Sequence, residues 1–113
     1  MKRIGLLFLY FFGGNFMGLE RDFQSSLIKR IKKMFPGCVV LKNDPTYIQG
    51  IPDLIVLYKD KWAMLEAKKD SSASHQPNQD YYVEKLGKMS FAAFIFPDNV
   101  EEVLHDLQQA FGA

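Results

Sequence analysis

The chain has a single cysteine, Cys38, and only two histidines, His75 and His105, among its 113 residues. One thiol excludes an internal disulfide, and no Cys/His cluster offers the spacing of a zinc site. Cys38 falls in the apolar run Cys38-Val39-Val40-Leu41 and reads as a small core residue. An excess of charge is missing too. Fourteen Lys and Arg stand against 13 Asp and Glu, a net +1. The whole molecule therefore has no field that draws it to a polyanion, and such attraction must come from a local basic patch. No apolar run approaches the ~20 residues that cross a bilayer. The run Ile4 to Phe12 is far shorter, and no membrane partner is expected. Repeats, low-complexity tracts and linkers are absent as well. What is present is ordinary for one globular domain: 48% hydrophobic and 24% charged residues, enough for a buried core.

The first residues combine a basic start, the Ile4–Phe12 run and then Gly13-Gly14-Asn15. That is the outline of a short secretory signal, although Gly-Gly-Asn is a poor cleavage site. Gly13-Gly14 is also what a purine-rich GGAGGN stretch encodes. Lying a few nucleotides before the Met17 codon, it would resemble a bacterial ribosome-binding site. We expect residues 1–16 to be a mis-assigned start or short leader, and residues 17–113 to form the domain.

From Gly18 to Phe35, apolar residues recur at helical spacing, with Lys29, Arg30, Lys32 and Lys33 on the other side, until Pro36-Gly37 stops the helix. Glu20 reads first as a first-turn acid that complements the helix dipole. Cys38 to Lys42 reads as a strand and Asn43 to Gly50 as a loop. Residues 52–58 and 62–69 read as two strands about a Lys59-Asp60 turn. A polar loop follows to Asn78, then a helix from Gln79 to Met89 that buries Tyr82, Val83, Leu86 and Met89. Residues 91–96 form a buried strand ended by Pro97. Asn99 and Glu102 predict a capping box for a last helix, Val100 to Phe111. The expected order is α-β-β-β-α-β-α.

The stretch Gly50 to Lys69 carries the chemistry. It reads as a buried hairpin, apolar along both strands, with Lys59-Asp60-Lys61 at the turn and Asp53, Glu66 and Lys68 at the edges. Side chains alternate along a strand, so Glu66 and Lys68 share one face with Trp62 and Met64. With a two-residue turn Tyr58 pairs with Lys61, and Asp53 comes opposite Glu66, their Cβ atoms about 5 Å apart. A three-residue turn would instead send Asp53 to the other face. Two opposed carboxylates repel unless a cation lies between them. Hard oxygen donors suit Mg²⁺ or Mn²⁺, and a neighbouring lysine can orient water or stabilise charge on a phosphate. As bare residues Asp-x(12)-Glu-x-Lys is a weak signal, and charges at strand ends often simply reach water.

Pro52-Asp53 with Glu66-Ala67-Lys68, in this order of elements, resembles the signature of the PD-(D/E)XK nuclease superfamily. The similarity runs over roughly residues 18–111. Residues 49–69 and 77–96 are similar to the compact phage and bacterial VRR-NUC and Holliday-junction-resolvase-like members, although no Val-Arg-Arg tripeptide is present. The resemblance implies an α/β fold: a restriction-endonuclease-like αβββαβ core, its central mixed sheet flanked by helices, with an extra C-terminal helix. It implies a Mg²⁺- or Mn²⁺-dependent endodeoxyribonuclease, probing branched DNA or Holliday junctions, phage-related and at work in the cytoplasm of a bacterial host. By position, Asp53 and Glu66 would bind the metal with the Ala67 backbone carbonyl, and Lys68 would position the attacking water. Glu20 would add an acid from the first helix, and Gln79 would assist near the site. Lys29, Lys33, Lys42 and Lys69, with Arg30, Lys32 and Lys85, could contact DNA phosphates, which position without reading sequence. So small a footprint on duplex or branched DNA suits a homodimer. The alternative is a silent DNA-binding or interaction module of the same fold. Tyr47, Tyr58, Tyr81, Tyr82 and Trp62 read as packing residues first and base-stacking residues second. His75, in the polar loop, reads as solvated first and as a phosphate contact second.

Overall fold

A computed structural model describes residues 16–113, with side chains from Glu20 onward. The expected leader and alternative start fall on residues before this range. Three helices and four strands follow one another as α1 (Phe16–Met34), β1 (Val39–Lys42), β2 (Leu54–Tyr58), β3 (Lys61–Ala67), α2 (Gln79–Met89), β4 (Phe91–Ile95) and α3 (Val100–Phe111). The expected α/β order is observed. Among the described residues no helix is long and apolar enough to cross a membrane.

The strands form one mixed sheet in the order β1-β2-β3-β4. β1 and β3 run antiparallel to β2, and β4 runs parallel to β3 after the α2 crossover. Tyr58 pairs with Lys61 across a two-residue turn, as expected. Lys59 accepts φ +57 there, the positive value that tight hairpin turns require at their first central position. The register continues through Leu57–Trp62, Ile55–Met64 and Leu54–Leu65. That register fixes which residues share a face.

One face carries Leu54, Val56, Tyr58, Ala63, Leu65, Ala67 and Ile95, all buried. Against it pack Phe23, Leu27 and Ile31 of α1, Phe35 just beyond its end, and Val103, Leu104, Leu107 and Phe111 of α3. Burial of each such large side chain contributes about 1.5–3 kcal/mol. Phe35, Tyr58 and Phe111 close the hairpin end, with ring centroids 5.1–5.6 Å apart. On the surface, Arg30 of α1 donates both guanidinium nitrogens to Glu101 of α3 at 2.6 and 2.5 Å.

The opposite face is covered by α2 only over β3 and β4. Over β1 and β2 no described element covers it, and Val39, Leu41 and Leu57 are exposed among the described residues. Four expectations are corrected. Leu57 is an outward residue of a half-open sheet, so the hairpin is not buried on both faces. Met89 is 65% exposed, beyond the covered part of the sheet. Glu20 is the fifth residue of α1, which has no acid in its first turn. The Asn99–Glu102 capping box does not form. Asn99 instead turns back to β4, accepting the Phe96 N–H at 2.8 Å and donating to the Phe94 carbonyl at 3.1 Å.

Candidate active site

The site lies where β2 begins and β3 ends, on the face that α2 partly covers. Asp53 immediately precedes Leu54, whose partner is Leu65, so one further step along the register sets Asp53 against Glu66. The Asp53 backbone N–H donates to Glu66 Oε1 at 3.2 Å. Asn43 fixes the entry to β2 from the other side: its N–H donates to the Asp53 carbonyl at 2.8 Å, and its Nδ2 to the Pro52 carbonyl at 2.8 Å.

Glu66, Lys68 and Gln79 are all buried, and each satisfies the others. Lys68 Nζ donates to Gln79 Oε1 at 2.8 Å and to the Ser74 carbonyl at 3.0 Å, and lies 3.8 Å from Glu66 Oε2. Gln79 Nε2 donates to Glu66 Oε2 at 3.1 Å, and its Oε1 also accepts the Gln76 N–H at 2.8 Å. Gln79 is the first residue of α2, so the helix start is pinned to the strand end. Among the described residues no buried side-chain polar atom lacks a partner. That is the condition under which buried charge is tolerated.

The two carboxylates are unequal. Loss of water around Glu66, and then the nearby Asp53, push its carboxyl up to about 8. Asp53 is raised as well, chiefly by burial. The Ala67 N–H, the Glu66 side chain, Lys68 and Lys42 act in the opposite direction. Both carboxyls are raised towards the protonated form, and a proton between them would relieve the repulsion of two opposed carboxylates. A divalent cation could replace that proton, because two hard carboxylate oxygens already face one another. The Lys68 N–H donates to the Ile95 carbonyl at 2.9 Å. The Ala67 N–H acts on the Asp53 carboxylate from the neighbouring strand.

Glu20 reaches the same end of the sheet, where its Oε1 accepts the Lys69 N–H at 3.1 Å. Among the described residues, however, no three His, Cys, Asp or Glu side chains form a preformed metal cage. The contact that places Glu20 is the one with the Lys69 backbone, just past the end of β3. The basic residues divide. Lys42 ends β1 beside Leu54 and acts on the Asp53 carboxylate, and Lys69 directly follows Lys68. Lys29 and Lys33 are exposed on α1, roughly 14 and 20 Å along the helix from Glu20 at 1.5 Å per residue.

Two loops meet at the mouth. Gly50, at φ +89, approaches Pro77 and Asn78 so closely that a Cβ would lie 2.7 Å from their atoms. Tyr47, in the first loop, is 83% exposed, and Tyr81 of α2 is exposed as well, whereas Tyr58 is core. The Ser74 carbonyl and Gln76 N–H were not legible as site groups, because a backbone acceptor or donor has no residue-type signal. No protein-family model, curated protein or solved structure matches the chain. Its chemistry must be read from the site itself.

Proposed function

We propose that the chain is a metal-dependent endonuclease that hydrolyses DNA phosphodiester bonds, built on a restriction-endonuclease-like core. One observation carries this reading. Asp53 and Glu66 are opposed on adjacent strands, with Lys68 and Gln79 locked into the same buried network. A purely structural ion pair with Lys68 has no need of a second carboxylate opposed to the first. Asp53, Glu66 and the Ala67 carbonyl would hold Mg²⁺ or Mn²⁺. When bound, such an ion lowers the pKa of its water and neutralises charge on the phosphate.

The remaining roles belong to the protein. Lys68 directs its ammonium into the site and supplies positive charge where an attacked phosphate gains negative charge. Gln79 holds Lys68 and Glu66 in one plane of contacts and keeps the lysine from folding out to solvent. Lys42 and Lys69 lie close enough to take flanking phosphates, while Glu20 braces the strand end. Branched DNA or a Holliday junction is the substrate this reading favours, cut by a phage-related homodimer in a bacterial cytoplasm. The support for that finer assignment is the resemblance of the Pro52–Lys68 signature and the small footprint of one copy.

The test offers a four-way junction, a linear duplex and a single strand, with Mg²⁺ or Mn²⁺, to wild type and to Asp53→Ala. We expect cutting that chelator abolishes and that the substitution lowers by more than about 100-fold, beyond the loss typical of groups that only support a metal ligand. Intact DNA binding without any cutting would instead indicate a silent binding module.

A further inference from the structure

We propose that His75 is a substrate-facing residue of this site, binding a backbone phosphate next to the bond that is cut. This rests on the nuclease reading and adds to it a group outside the signature residues. Four observations place the imidazole. His75 Nδ1 lies 2.7 Å from Asp80 Oδ1 on the first turn of α2. The ring stacks on Phe94, with centroids 4.2 Å apart and planes 20° from parallel. Phe94 is the register partner of Glu66 on β4, so the stack stands on the catalytic face one strand away from the carboxylate. Finally, the residues on either side of His75 are tied to the buried network: the Ser74 carbonyl accepts from Lys68 Nζ, and the Gln76 N–H donates to Gln79 Oε1.

The chemistry follows from these contacts. A carboxylate only accepts, so Asp80 fixes the proton of the ring on Nδ1. That leaves Nε2 as the working atom, and among the described residues it has no partner. The side chain is 36% exposed and so is both held and reachable. A ring fixed on one edge by a carboxylate and on its face by an aromatic loses little freedom when a ligand arrives. With a proton on each ring nitrogen, Nδ1–H donates to Asp80 and Nε2–H is left to donate to a phosphate oxygen. The result is a charge-assisted N–H to phosphate contact. A residue kept only for loop packing would not need its ring aligned by a carboxylate at the rim of a buried lysine.

The experiment measures DNA binding in the cleavage-dead Glu66→Gln background by fluorescence anisotropy, from 50 to 200 mM KCl. His75→Ala, His75→Asn and Asp80→Asn are compared, with Lys59→Ala at the far hairpin turn as a charge control. His75→Asn is informative because its amide can keep the Asp80 hydrogen bond while removing Nε2. We expect both His75 variants to bind about five- to tenfold more weakly, as for loss of one charge-assisted hydrogen bond. The slope of log affinity against log salt should flatten by about 0.9, one phosphate contact. Asp80→Asn should weaken binding less, Lys59→Ala should leave the slope unchanged, and His75→Asn should melt as the parent does. Parent-like affinity and slope in His75→Asn, while wild type still cleaves, would overturn the assignment of His75 and leave the nuclease reading intact. No binding by the parent and no cleavage by wild type would overturn both.

Discussion

A carboxyl pushed up to about 8 by burial and then by a neighbouring Asp53, as that of Glu66 is, ties stability to pH with a definite sign. In the unfolded chain the same group titrates near 4.5. Between these values the folded protein holds a proton that the unfolded chain releases, so stability falls as pH rises from about 4.5 to about 8. The raised Asp53 adds to the same slope. The exposed Asp44, Asp60 and Asp70 are held low, chiefly by the side chains of Thr46, Lys61 and Ser72, and act with the opposite sign in more acidic solution. We therefore predict that the metal-free protein melts at a lower temperature at pH 8 than at pH 5.5, a loss of up to a few kcal/mol at 1.36 kcal/mol per pKa unit. Glu66→Gln should flatten that dependence in calorimetric scans at a series of pH values, and added Mg²⁺ should stabilise wild type more at pH 8 than at pH 6. Gln79 is testable at the same scale. Gln79→Ala strands the Lys68 ammonium and a Glu66 oxygen, which should cost about 1–3 kcal/mol in denaturant unfolding. It should also slow cleavage.

The elements that carry the site are joined by contacts a few atoms wide. Gly50 and Asn78 connect the loop before β2 to the loop before α2. Gly50→Ala places a Cβ against backbone at 2.7 Å in a left-handed conformation. We expect it to part the two loops, lowering cleavage strongly while far-ultraviolet circular dichroism keeps the signal of the sheet and helices. Most of the elements were legible in the sequence because each has a strong local signal: helical spacing in α1 and α3, alternation in β3, a Lys59-Asp60 turn that sets the register. Asp53, Glu66 and Lys68 were legible because that register follows from the turn alone. Other features depend on tertiary neighbours. Asn99 favours β4 over its own helix because the Phe94 carbonyl and Phe96 N–H at the strand end need partners. The open face over β1 and β2 was not legible, since Val39, Leu41 and Leu57 are as apolar as core residues. Glu20 was placed near the site, but its partner is the Lys69 backbone, and no sequence pattern marks a backbone partner.

Taken as a whole molecule, the sheet places chemistry at one end and aromatic packing at the other. α1 carries Glu20 at the site end, and Phe35, just past its last residue, packs at the hairpin end. The even overall charge makes position matter more than number. Lys42→Ala should flatten the salt dependence of DNA binding by about one phosphate contact, whereas a Lys29→Ala/Lys33→Ala double substitution should leave cleavage close to wild type in a steady-state assay. At this scale the central claim is that the Asp53–Glu66 pair exchanges a proton for a divalent cation. It is tested most directly by calorimetric titration of Mn²⁺ at pH 7 in buffers of different ionisation enthalpy, for wild type, Glu66→Gln and Asp53→Ala. We predict binding to wild type with release of about one proton, as deprotonated ligands require. Glu66→Gln should bind more weakly with almost no proton release, and Asp53→Ala should not bind. Absence of Mn²⁺ binding by wild type, or binding that Asp53→Ala leaves unchanged, would contradict a metal centre at this pair.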